Sequence, residues 1–137
     1  MATWNKFNAW AENMVEVANL GTDQFVIALT NTAPVATNSV LADLTQISYT
    51  NLSSRNLTTA SSSQTGGTYT LTLNDLVLTA SGAVATFRYV VVYDDTPTSP
   101  ADPLVGWWDY GEGTGASITM ANGETFTIDF TGAAITL

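Results

Sequence analysis

Several separate stretches of this chain carry apolar and polar positions alternating at the period of a β-strand. The clearest run is residues 85–93, Ala-Thr-Phe-Arg-Tyr-Val-Val-Val-Tyr, rich in β-branched and aromatic residues and free of Pro and Gly. Period two places Phe87, Tyr89, Val91 and Tyr93 on one face and Arg88, Val90 and Val92 on the other. A strand apolar on both faces is expected at the centre of a sheet, covered on both sides. It ends at Asp94-Asp95-Thr96-Pro97, which is turn chemistry. After a Pro-rich loop, residues 104–111 read as the next strand. There Trp107 and Trp108 must face opposite ways, with Tyr110 on the side of Trp108.

The other elements follow from the same patterns. Trp4, Phe7, Trp10, Met14, Val15 and Ala18 recur at steps of three and four and predict one amphipathic helix, with Thr3 as its cap and Gly21 as its stop. Its aromatic face is expected either to lie across the β-structure or, through Trp4 and Phe7, to dock on a neighbouring subunit. Residues 24–30 read as a buried strand. One helical turn fits near Leu41 and Leu44, and a short strand fits residues 46–50. Residues 51–67 are rich in Ser, Thr and Asn and read as an exposed loop or edge strand.

In residues 68–73, Tyr69, Leu71 and Leu73 point inward. Beyond Asn74-Asp75 the inward set becomes Leu76, Leu78 and Ala80, so a bulge or turn must intervene. Ser81-Gly82 then predicts a hairpin between residues 76–80 and 84–93. A second hairpin is expected around Asn122-Gly123. Only a three-residue loop, with Gly123 left-handed in a type I turn and bulge, puts Ile118 and Phe126 on one face. The apolar C-terminus, residues 133–137, is expected to pair as an edge strand or to pack on another subunit. The predicted class is all-β, an antiparallel β-sandwich or jelly-roll-like barrel with one N-terminal amphipathic helix. Residues 1–22 form its helix or arm and residues 23–137 its single β-sandwich domain.

Composition narrows the function. The chain has 137 residues, no Cys and no His, which removes disulfides, thiolate zinc sites and the commonest general base. A net charge of −9, with only Lys6, Arg55 and Arg88 basic, argues against nucleic acid and anionic membranes as partners. No signal peptide or spanning segment is expected. Charged residues make up only 11%, which suits either a protein covered in an assembly or a neutral-surfaced secreted β-domain.

Candidate chemistry is sparse. Acids at 94, 95, 102, 109 and 112 flank the tryptophans, as in a sugar site, yet each has a turn or strand-end explanation. Asp94, Asp95 and Asp102 offer oxygens to Ca²⁺ without a regular binding loop. No catalytic, cofactor or metal residue is therefore assigned, and no enzyme is expected. One of Trp107 and Trp108 should be core, the other helix-covered or an interface anchor. Arg88, in mid-strand, needs a carboxylate partner or a solvated face.

Several stretches together resemble small structural proteins of tailed bacteriophages. They are Lys6-Phe7-Asn8-Ala9-Trp10, Asn19-Leu20-Gly21-Thr22-Asp23-Gln24, Ala28-Leu29-Thr30-Asn31-Thr32-Ala33-Pro34, Tyr89-Val90-Val91-Val92-Tyr93-Asp94-Asp95-Thr96, residues 103–111 and Asn122-Gly123-Glu124-Thr125-Phe126. The resemblance covers nearly the whole chain. By similarity to small β-sandwich decoration proteins it implies a capsid decoration or cement protein, trimeric, made in the host cytoplasm and bound to the major capsid protein on the capsid exterior. Trp4, Phe7, Trp10, Trp107 and Trp108 are its candidate subunit or capsid contacts. A tail, neck or fibre component engaged in host attachment, and a carbohydrate-binding module using an exposed Trp, are the alternatives.

Overall fold

The computed structural model describes residues 2–131 and 135–137. At its centre is β7 (Tyr89–Asp94), buried at every position. β7 lies between β2 (Phe25–Thr30), also buried throughout, and β8 (Leu104–Asp109). β1 (Trp4–Lys6) joins the far side of β8, giving the antiparallel order β1-β8-β7-β2. Alternation sends Ile27, Leu29, Val90 and Val92 to one face and Val26, Ala28, Val91 and Tyr93 to the other, and each face has its own core.

The smaller core contains Phe7 and Leu104 and is covered by Leu41, Leu44 and Trp107. The expected helical turn is a 3-10 turn at Leu41–Asp43; the Asp43 carboxylate accepts the N–H groups of Ser39 and Val40 at 2.8 and 3.2 Å. Residues 46–50 do not form the expected strand: Gln46 makes an isolated bridge to Thr30. Coil nevertheless closes this edge of the sheet. Ile47 N–H donates to Leu29 O, Ile27 N–H to Arg55 O and Leu57 N–H to Phe25 O, at 2.9 to 3.0 Å.

The larger core lies beneath a second layer of short antiparallel pairs. β4 (Thr68–Leu73) sits between β3 (Thr59–Thr65), the exposed Ser/Thr edge strand, and β11 (Ile135–Thr136). β5 (Leu76–Thr79) pairs with β10 (Thr125–Ile128), and β6 (Val84–Phe87) with β9 (Ile118–Met120). The parity change at Asn74-Asp75 falls where the chain leaves β4 for β5. The architecture is the expected all-β, sandwich-like one with an N-terminal helix. Of the C-terminal segment, Ala133 and Ala134 lie outside the described residues.

Three local expectations are corrected. First, the helix α1 is only Trp10–Glu16. Trp4 to Lys6 is strand, because Asn5 has Trp107 as a backbone partner and adding to the sheet outweighs helical spacing. Val15, expected on the apolar face, is exposed. Second, residues 85–93 are two strands. The chain leaves the second layer at Phe87 and enters the central sheet at Tyr89, so Phe87 shares the larger core with Val90 and Val92 rather than facing with Tyr89.

Third, neither predicted hairpin closes. β5 and β6 run as one bent ribbon against β9 and β10. Thr79 lies opposite Thr125 and Val84 opposite Met120, so the register passes unchanged through both turns. The turn signals Ser81-Gly82 and Asn122-Gly123 meet at one corner instead of ending two hairpins. Gly123 is left-handed as expected, at φ 84°, but Glu124 N–H bonds Ala121 O with Asn122 at negative φ. That is the pattern of a type II turn, not type I. Asn51 (φ 67°) braces the corner: its O accepts Ser81 N–H at 2.9 Å and its Nδ2 donates to Ala83 O at 3.0 Å.

The continuous ribbon predicts an exchange pattern. Ala80 N–H donates to Glu124 O at 3.0 Å and Gly123 N–H to Ala80 O at 2.8 Å. Both amides should therefore be protected in hydrogen exchange to a degree similar to β5. A Gly123 amide exchanging at the rate of a free loop would contradict the ribbon.

Candidate functional site: an aromatic cleft

The two tryptophans of β8 project to opposite faces, as alternation requires. Trp107 packs on Phe7 over the smaller core, with ring centroids 4.5 Å apart. Trp108 faces the larger core and meets Trp4 at 4.5 Å, Phe130 at 5.5 Å and Tyr110 at 6.5 Å. Tyr110 continues to Phe126 at 5.0 Å, and Phe126 to Phe87 at 5.5 Å. A run of tilted and edge-on rings thus crosses from the sheet edge into the core.

Gly106 makes room for the outer end of this run. A Cβ there would collide with the Trp4 indole and the Asn5 carbonyl oxygen. The ring of Trp4 therefore lies directly over the bare backbone of β8. The same strand is bulged next to Gly106, since Val92 faces Gly106 while Tyr93 faces Leu104. A glycine inside an otherwise apolar strand signals close approach of another group. That was the available sequence clue to this slot, and the reading by helical period passed over it.

Beside Trp4 and Trp108 a cavity of about 850 Å³ opens between the central sheet and the second layer. Val92, Val105, Leu71 and Leu73 line its interior, and Asp109, Glu112 and Asp129 stand among its polar lining residues. Two of these acids are committed within the chain. Arg88 grips Asp109 in a bidentate pair, Nε to Oδ1 at 2.7 Å and Nη2 to Oδ2 at 2.8 Å, and Gly111 N–H adds a bond at 2.9 Å. Glu112 accepts Thr3 N–H at 2.8 Å and Thr3 Oγ1 at 3.1 Å, tying down the N-terminus. The Arg88 hydrogen bonds, aided by Gly111 and opposed by burial, hold the Asp109 carboxyl below its usual range. An acid held ionised in this way suits anchoring, not proton donation. Burial, then the nearby Asp129, raises the Tyr110 phenol and keeps it neutral.

The five sequence candidates separate. Phe7 and Trp10 are buried at 0% and 2% exposure in the chain's own cores. Trp107 and Trp108 are half-buried, and Trp4 alone of the five is exposed, at 38%. Arg88 has the carboxylate partner it required. Asp94 and Asp102 lie at the other end of β7 and β8, and among the described residues no group of three or more acids is placed to hold a metal. No protein-family model, curated protein or solved structure matches the chain.

Two outcomes test this geometry. Gly106→Ala should expel the Trp4 ring, red-shift the tryptophan emission and cost about 1–3 kcal/mol. Trp4→Ala should add little in that background, because the slot is already lost; full additivity of the two would show that the ring does not depend on it. The folded Asp109 carboxyl titrates below its ordinary value of 3.8, so its stabilisation is present above 3.8 and fades as pH falls through the folded value. Asp109→Asn should flatten this acid limb of the unfolding profile, and an unchanged limb would mean that the pair contributes nothing.

Proposed function

We propose that the chain is a non-enzymatic structural protein of a tailed-phage virion, a capsid decoration protein that bridges neighbouring shell subunits. The observation that carries this reading is the exposed Trp4 on an edge strand. Asn5 faces Trp107 and Phe7 N–H reaches Val105 O, so the backbone groups of Trp4 and Lys6 point away from β8. A partner strand can add there, with Trp4 as its aromatic anchor. The sequence resemblance supplies the virion context, and the sparse charge suits surface covered in an assembly.

The mechanism is mass action. A protein that binds only the assembled shell shifts the equilibrium toward it. Three footprints on one symmetric trimer act together through effective concentration. The contact must come from β1 as an integral edge, not from a detachable arm, since Phe7 and Trp10 belong to the cores.

A second reading, a carbohydrate-binding module, draws on Trp4 beside Glu112 and Asp129 at the cleft. A tail or neck component differs from the decoration reading in ring size rather than in this geometry. Light scattering after gel filtration, over a dilution series, separates them. The decoration reading expects a stable trimer of the 14.5 kDa chain, and Trp4→Ala lowering shell binding at least tenfold with a small fall in melting temperature. A closed ring of five or six would move the assignment to the tail. A monomer that binds glycans through Trp4 would replace it with the sugar-binding reading.

A further inference from the structure

At the end of the sandwich where β7 stops, Asp94 is fully buried, with 0% exposure. Its Oδ1 accepts Thr96 N–H at 3.2 Å, but its Oδ2 has no donor. Phe25 lies opposite Asp94 in the ladder, so Asp23, two residues earlier, is its diagonal neighbour on the same face. The Asp23 carboxyl is thus a neighbour of the Asp94 carboxyl and acts on it. Asp23 Oδ2 already accepts Asn19 N–H at 2.7 Å.

This junction joins two loops. Gln24 N–H donates to Thr96 Oγ1 at 2.8 Å, and Asp95 N–H to Gln24 O at 2.9 Å. We propose that Asp94 holds a proton, donates it in a hydrogen bond to the Asp23 carboxylate and thereby latches the segment of residues 19–24 onto the start of the β7–β8 loop, closed while the proton is held and loosened when it leaves. With the proton on Asp94, Oδ2 becomes the donor that the site otherwise lacks, and Asp23 is the acceptor. Without it, a buried anion whose Oδ2 has no donor faces a second, half-buried anion.

The surrounding charges reinforce this. Asp95 adds a third negative charge beside Asp94, and Asp102 faces Asp95. The Thr96 N–H is the neighbour that favours the anion. Of the three cations, Arg55 reaches the Tyr93 phenol, on which Asp95 and Asp102 also act, but none acts on Asp94. Arg55 bonds Ile27 O and lies 3.6 Å over the Tyr49 ring, Arg88 grips Asp109, and Lys6 belongs to β1 at the far edge. Burial first, then Asp23, pushes the Asp94 carboxyl up to about 7. The folded chain therefore holds a proton that the unfolded chain, with its Asp near 3.8, has released. Stability from this group is greatest below that lower value, falls as pH rises toward 7, and is flat above.

The full chain can be tested as it stands. Carbon-detected NMR should show the Asp94 carboxyl titrating near pH 7. Amide protection factors at Gln24, Asp95 and Thr96, corrected for intrinsic exchange, should fall at least tenfold between pH 5 and pH 8.5. In Asp94→Asn the amide donates permanently, and the same protection should become independent of pH. Asp23→Asn serves as the second variant should the first fail to fold, and it too should abolish the step. An Asp94 carboxyl that titrates below pH 5, or a variant with the wild-type profile, would overturn the latch. So would protection at pH 8.5 restored by Ca²⁺ and removed by EDTA, because the pair would then be bridged by a cation and not by a proton.

Discussion

Everything in this molecule depends on covering β7 from both sides. Six consecutive buried residues leave no position for water, so every backbone group must pair within the sheet and each side-chain row needs its own cover. Ladder partners come from β2 and β8. One face is sealed by the bent second layer and the other by irregular coil carrying Leu41 and Leu44. The one sheet therefore faces two cores of unequal size. The smaller cover is coil and the 3-10 turn at Leu41–Asp43, held in place by backbone bonds to β2 and by the Asp43 carboxylate.

The most demanding point is Arg88, where one continuous run passes from the second layer into the central sheet. Its backbone stays in the ladder, with its N–H on Thr30 O and its O receiving Tyr110 N–H. Its side chain crosses to Asp109 over Gly111, where a Cβ would strike the guanidinium and the Ala116 carbonyl. A partly exposed ion pair of this kind adds little stability, but its bidentate geometry fixes direction. It orients the strand end that carries Trp108 and Tyr110, and so holds the inner wall of the cleft.

The proposed contact edge and the proposed latch lie at different places for one reason. The edge of the sheet at β1 is where backbone groups remain free and an aromatic ring is exposed, which suits contact. The far end of β7 is where a polar residue was carried into the interior with the strand, which suits a switch. Asp109 is held ionised by Arg88, and Asp94 is fully buried against another acid.

The chain's pattern by itself determined the strand class, a central strand within the run 85–93 (though not its break at Arg88), the buried β2, the opposite faces of Trp107 and Trp108, and the left-handed Gly123. These are period-two and turn signals that a local stretch carries whole. Partners were decided only by tertiary structure. The turn signals at Ser81-Gly82 and Asn122-Gly123 were legible, but their meeting at one corner depends on segments far apart in the chain. Trp4 and Phe7 fit a helical period, and only the bare backbone at Gly106 and the open edge of β8 made them strand. Asp94 carries the signature of an ordinary turn acid, and only the β2–β7 register buries it and sets Asp23 diagonally beside it. Local chemistry proposes a conformation, but burial and ladder pairing, which sum contributions from distant residues, select among the conformations it allows.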